Sequence, residues 1–188
     1  MDEKETNMIS EACLQLTPVR LGSSCPDVDG LGLSQQAILD LLQMYRPDCI
    51  FIRSAVFDGS VLTATFNSFP HPFTRRSPKH LTREHILAYV TQASYVFAAL
   101  LCESRPDWGL NRRSFIRLAS DEQTTFTRVE MRFRRFSSNV DGVRATLRCR
   151  RERLHNGRLF LQFLFDFPAG CFGVCEGFIA ISRPLKVG

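Results

Sequence analysis

One stretch limits what this chain can fold into: Thr82 to Leu101, TREHILAYVTQASYVFAALL, which contains neither Gly nor Pro. Thr82 is suited to cap a helix, and Glu84 falls in the first turn, where the helix dipole favours negative charge. The apolar residues Ile86, Leu87, Val90, Ala93, Val96, Phe97, Leu100 and Leu101 do not make one stripe. They cover most of the circumference, which predicts a helix buried on nearly all sides. Twenty residues of helix run about 30 Å, the width of a small domain. The few polar residues fall into two sets. Glu84, Thr91 and Tyr95 recur at i, i+7, i+11, and His85, Tyr89 and Gln92 at i, i+4, i+7, so each set can line one side.

At 188 residues the chain is long enough to bury one sizeable core, and no internal repeat divides it. We expect a loosely ordered segment over 1–32, rich in Gly, Ser and Pro toward its end, and a single domain over 33–188. The start, MDEKETNM, is acidic, and no run reaches 18 consecutive apolar residues, so a cytoplasmic protein that neither enters a membrane nor is secreted is expected. Seven cysteines form no CxxC pair, which points to reduced, mostly buried thiols and to no metal site.

Charge is unevenly spread. Residues 1–30 carry six acids against Lys4 and Arg20, whereas ten arginines lie between Arg128 and Arg158 against Glu130, Asp141 and Glu152. Guanidinium forks suit phosphate or carboxylate partners, and Arg144, Arg148 and Arg150 are the expected contacts. Strict alternation places Val129, Met131 and Phe133 opposite Arg128, Glu130, Arg132 and Arg134. Most aromatics there share the core-facing parity, Phe126 and Phe136 excepted. That argues against nucleic acid, which needs exposed rings beside cations.

Around the central helix, Ser34 predicts a helix start whose spacing runs through Ala37, Ile38, Leu41, Leu42 and Tyr45 and stops before Pro47. Cys49–Phe57 and Val61–Phe66 read as a hairpin across Asp58-Gly59. Residues 67–80 form a loop with three prolines and two basic runs. After a turn, Ser114–Ala119 reads as a short strand. Thr124–Phe136, Val143–Leu154, Leu159–Phe167 and Phe172–Ile181 then read as long antiparallel strands. A buried helix between a hairpin and a run of such strands is α+β, with the sheet wrapped around the helix: the hot-dog architecture.

The segment HLTREHILAYVTQASYVFA, His80 to Ala98, with Tyr45 ending the preceding helix, resembles the FcoT-like thioesterase family of hot-dog proteins. The shared features are a His near the entrance of the central helix, Gln92 followed three residues later by Tyr95, and the helix-ending tyrosine at Tyr45. The resemblance implies a fatty-acyl or enoyl thioester substrate, on acyl carrier protein or coenzyme A, with no cofactor beyond the thiol carrier itself. It also implies hydrolysis or conjugate addition of glycine to the enoyl β-carbon. Thr82 stands where the family has an active-site Asn, and Phe73 or Thr74 where it has a second loop Tyr. A related hot-dog family, the dehydratases of fatty-acid synthesis, is similar at FPHPF and YVTQAS, but its catalytic Glu falls on Ala88. A non-catalytic acyl-binding subunit is the other alternative.

The residues themselves are compatible with thioester chemistry. A carbonyl needs donors where negative charge develops, and the helix start at Thr82–His85 offers backbone N–H groups. Glu84 or His85 beside an apolar tunnel is the expected proton carrier. Tyr45 and Tyr95 are the expected hydrogen-bonding partners of the reacting groups, and Gln92 belongs with them. Phe73 is placed beside the substrate, and Arg75, Arg76 and His80 beside an anionic co-substrate such as glycine. The nearly all-apolar helix leads us to expect at least a homodimer, because one small sheet cannot cover it.

Overall fold

A computed structural model describes residues 30–69, 80–134, 141–168 and 170–181. The hairpin forms as its turn signal predicts. Gly59 takes φ +94°, a conformation L side chains rarely adopt, and Asp58 Oδ1 accepts the Ser60 and Val61 amides at 2.8 and 2.6 Å. This turn joins β2 (Ile52–Phe57) to β3 (Val61–Phe66) in antiparallel register. A short β1 (Leu31–Leu33) pairs with β2, so the sheet begins inside the segment expected to be loose. The rest of that segment, up to residue 29, lies outside the described residues. Ser34 Oγ then accepts the Ala37 amide at 3.2 Å and caps α1 (Gln35–Leu41), which buries Ile38 and Leu41. This helix is shorter than its apolar spacing predicts. Tyr45 follows in a turn, its amide donating to Leu42 O at 2.8 Å.

The long helix α2 runs Arg83–Ser104 with Thr82 as N-cap, three residues beyond the predicted end. It is long and apolar enough to cross a membrane by length and composition, with mean hydropathy 1.4, yet 78% of that window is buried within the protein. Ile86, Val90, Ala93, Val96, Phe97 and Ala99 have no exposed surface, which accounts for a helix without an apolar stripe. Each large side chain buried this way stabilises the fold by about 1.5–3 kcal/mol.

Ser114–Ala119 is helix, not strand: it lies within α3 (Arg112–Ser120). Asn111 accepts the Ser114 amide at 2.9 Å, and Phe115, Ile116 and Ala119 are buried at i, i+1, i+4, a helical period. A short apolar run does not by itself distinguish strand from helix.

Four long strands complete the fold: β4 (Thr124–Phe133), β5 (Val143–His155), β6 (Arg158–Phe167) and β7 (Cys171–Ala180). Asn156 and Gly157, at φ 48° and 70°, supply the hairpin turn between β5 and β6. The antiparallel sheet has the order β1-β2-β3-β5-β6-β7-β4, and the connection from β3 through α2 and α3 carries the chain to the far edge. A seven-stranded antiparallel sheet with one long buried helix is consistent with the expected hot-dog arrangement. Close approach at β7 requires a bare backbone: a Cβ at Gly173 would lie 1.9 Å from Glu130 O.

Two bulges alter the strict alternation that the strand sequences predict. Between Phe126 and Arg128 one extra residue, Thr127, sits in β4, and between Cys149 and Arg151 the extra residue in β5 is Arg150. The first bulge returns Phe126 to the core side with Val129. The second puts Arg151 and Arg153 on the outer face, with Arg144 and Arg148, and turns Glu152 inward, where it pairs with Arg105 at 3.1 Å.

Candidate functional site

The two polar sets on α2 end in different surroundings. His85, Tyr89 and Gln92 all reach the main chain flanking the β2–β3 hairpin. Gln92, 2% exposed, accepts from Phe51 N at 2.9 Å and donates from Nε2 to Cys49 O at 2.6 Å. Tyr89 donates its hydroxyl to Asn67 O at 2.9 Å, and burial, with Asp141 second, pushes its phenol well above the ordinary range. His85 Nε2 is 3.2 Å from Phe69 O, and Nδ1 is 2.8 Å from Thr82 Oγ1, so Nε2–H donates and Nδ1 accepts. Its ring also packs on Phe69, with centroids 4.5 Å apart. Thr82 Oγ1 in turn accepts the His85 amide, a reciprocal cap. This side is a three-point staple between helix and hairpin.

The other side opens on a cleft. Tyr95 stands half-buried, its hydroxyl accepting from Thr124 Oγ1 at 3.1 Å, which leaves its own proton available to donate. Tyr45 meets it edge-on with ring centroids 6.1 Å apart, so the structure brings these two predicted residues together. Burial first, and Tyr95 second, raise the Tyr45 phenol far above its usual value, which keeps it a neutral O–H donor rather than a base. Beside them a narrow apolar cleft runs between α2, α3 and the β7–β4 edge, lined by Ala98, Phe115, Phe126, Leu161, Phe163 and Phe178. Ser94 also lines it. Its hydroxyl, 1% exposed, has among the described residues no partner beyond the weak Cys175 thiol. Sequence reading passed over Ser94 and Thr124. The available signal was a hydroxyl one residue before Tyr95, with Val96 to Leu101 apolar after it.

The structure does not join the remaining predicted residues to this pair. Glu84 is exposed in the first turn, eleven residues from Tyr95, or about 16 Å along the helix. His85 is about 15 Å away by the same rise and is held by the cap. A single reacting atom cannot sit at the helix start and at Tyr95 together. Gln92, expected beside substrate, is committed to the hairpin main chain. Thr82 is the N-cap, and His80 is exposed just before it. Phe73, Arg75 and Arg76 lie outside the described residues. Arg144 and Arg148 stand exposed on the outer sheet face, and exposed Arg150 occupies the bulge, with the sheet between all three and the cleft.

Among the described residues no group of three or more His, Cys, Asp or Glu is arranged to hold a metal ion. Four of the described thiols offer no nucleophile at neutral pH. Burial pushes Cys102 and Cys175 up to about 12, and Cys149 and Cys171 up to about 11.

No family model matches this chain, and no curated protein matches it in sequence. Among solved structures, it is similar to the sigma28-regulated virulence protein Cj0977 from Campylobacter jejuni, at 7% identity over 81% of this chain and 95% of that one, TM-score 0.39. It is similar to a hypothetical protein, TT1821, from Thermus thermophilus, at 14% identity over 65% and 87%, TM-score 0.34. It is also similar to a hypothetical thioesterase with coenzyme A from Streptococcus pneumoniae, at 9% identity over 67% and 83%, TM-score 0.30.

Proposed function

We propose that this protein acts on a fatty-acyl or enoyl thioester, carried by coenzyme A or acyl carrier protein, and holds the acyl chain in the cleft beside Tyr95. The observation that carries this reading is the pairing of an apolar cleft with a cluster of hydroxyl donors, Tyr95 and Tyr45 with Thr124, at one place on a buried helix. The cleft is apolar and narrow, about 30 Å³, room for the first carbons of an acyl chain, and phenol hydroxyls are suited to a thioester carbonyl as it gains negative charge. Tyr95, relieved of donating by Thr124, is the main donor. Tyr45 is the second.

The nucleophile is water, giving hydrolysis, or the amine of glycine, adding to the enoyl β-carbon. In this reading catalysis comes from positioning and hydrogen-bond donors, because neither Glu84 nor His85 reaches the Tyr pair. Removing one such donor typically costs 10²–10³ in turnover. The reading includes a homodimer, formed by continuing the sheet or by packing helices across a two-fold axis. A second reading, an acyl-binding protein without turnover, is favoured by the same engagement of His85 in its cap.

Incubating the full chain with saturated and α,β-unsaturated thioesters, with and without glycine, and analysing products by mass spectrometry separates these outcomes. Free acid means hydrolysis, and an added glycine mass means conjugate addition. Saturable acyl-thioester binding with neither product means the binding reading. Absence of both binding and turnover on carriers and chain lengths across the range would overturn the proposal.

A further inference from the structure

The bulge at Arg150 has assembled something on the outer face that the alternating sequence does not display. Cross-strand partners share a face, so three rows can be read across β5, β6 and β7: His155–Arg158–Ala180, Arg153–Phe160–Phe178 and Arg151–Gln162–Glu176. They surround a concavity of about 370 Å³ lined by Arg151, Arg153, His155, Phe160, Gln162 and Glu176. Phe160 is 40% exposed, an aromatic platform in the open between two arginine rows. Phe178 lies behind it, ring centroids 5.9 Å apart, with the Arg158 guanidinium 5.3 Å over its face. Glu176 is the one acid of the groove, and the Gln162 amide donates to it at 2.5 Å. Arg151 and Arg153 have no carboxylate partner among the described residues.

We infer that this groove is a nucleotide subsite, taking the phosphorylated adenosine end of coenzyme A, with the base stacked on Phe160 and the phosphates on Arg151 and Arg153. The inference rests on the thioester reading above and names its carrier. Three arguments select this occupant. A second copy of the chain would bring the same cations against themselves. A single-stranded nucleic acid needs successive stacking platforms. Here one ring is open, and Phe172 and Phe178 are covered by Arg134 and Arg158. The groove also backs onto the cleft across the sheet: Leu161 and Gly177 line both, and Thr124, Thr125 and Phe126 border the cleft while Thr127 borders the groove. An arm leading from phosphates on β5 to the thioester therefore passes β6, β7 and β4, about 14 Å of sheet, and turns the β4 edge.

The test is calorimetric titration of the full chain with adenosine 3′,5′-bisphosphate, which requires no turnover. Saturable binding is expected. Phe160→Ala should weaken it roughly 5- to 150-fold, the loss of one stacked base, and Arg151→Glu with Arg153→Glu should abolish it. Both variants should raise KM for an acyl-CoA and leave turnover of the matching N-acetylcysteamine thioester unchanged. Nucleotide binding that responds to Phe160 in a protein inactive on every thioester would uphold the subsite while the enzyme reading fails. No nucleotide binding, or binding indifferent to both variants, would overturn the subsite. So would displacement of the nucleotide by a single-stranded oligonucleotide that binds more tightly.

Discussion

His85, Tyr89 and Gln92 occupy one side of the central helix, Tyr95 and Ser94 another, and both sides carry hydroxyls or amides amid apolar residues. On the first side the polar tips meet main-chain groups in fixed geometry: Cys49 O, Phe51 N, Asn67 O and Phe69 O. On the second, Tyr95 has one side-chain partner and Ser94 only a thiol, next to open space. The difference teaches where to look for chemistry on a buried helix. A polar group saturated by backbone holds the fold, and one left with capacity beside a cleft is available to a ligand.

The sharpest break in that comparison should come from Gln92→Ala. It strands a partly buried amide and a partly buried carbonyl, each at about 1–3 kcal/mol, so stability should fall by about 2–5 kcal/mol with activity per folded molecule retained. Urea unfolding beside a thioester assay checks this, and a stable but inactive Gln92→Ala would move Gln92 to the functional side. Tyr95→Phe should do the opposite, lowering turnover about 10²–10³-fold while costing stability only about 1 kcal/mol. Equal turnover of wild type and Tyr95→Phe would dissolve the contrast.

A third experiment uses pH. The thiols of Cys102 and Cys175 are raised from 9.0 to about 12 in the fold. A raised thiol pKa means the folded state keeps a proton that the unfolded state releases. The stability is therefore complete below pH 9 and lost as pH rises toward 12. Stability should fall by up to about 1.4 kcal/mol per pH unit for each such thiol across that window. Cys175→Ala should flatten the alkaline slope in denaturant midpoints, and an unchanged slope would deny Cys175 its share. The smallest effect belongs to Glu84→Gln: a loss of about 0.3–1 kcal/mol from the helix dipole, with turnover within a few-fold of wild type. Collapse of turnover on this change would restore Glu84 as the proton carrier.

The sequence showed the start and burial of α2, its cap, the hairpin turn at Gly59 and both polar sets at their correct spacing. It did not show which set was structural, because Gln92 finds its partners 41 and 43 residues away and Tyr89 finds its own 22 residues away. Nothing local announces a main-chain partner at that separation. The bulges were equally hidden. One added residue inverts the facing of everything after it, and Arg150 carries no mark that distinguishes it from its neighbours. Hence the outer face acquired Arg151, Arg153 and Phe160 together, contrary to the expected segregation of rings from cations. For α3, by contrast, the signals were present in Asn111 and the 115, 116, 119 spacing, and a short apolar run was read as strand without them.

The three-point staple has a consequence for the order of events on the ribosome. All of its groups lie between Cys49 and Gln92, so they have been made before any residue of β4 to β7. The hairpin and helix can then engage as a nascent unit, but the strands that cover Phe97 and its neighbours come later: Phe163, its ring partner at 5.1 Å, is translated 66 residues afterwards. At about 5–20 residues per second, that leaves an apolar helix half-clothed for several seconds. The interval is when this protein is most exposed to aggregation, and when a chaperone that holds apolar helices has most to offer it.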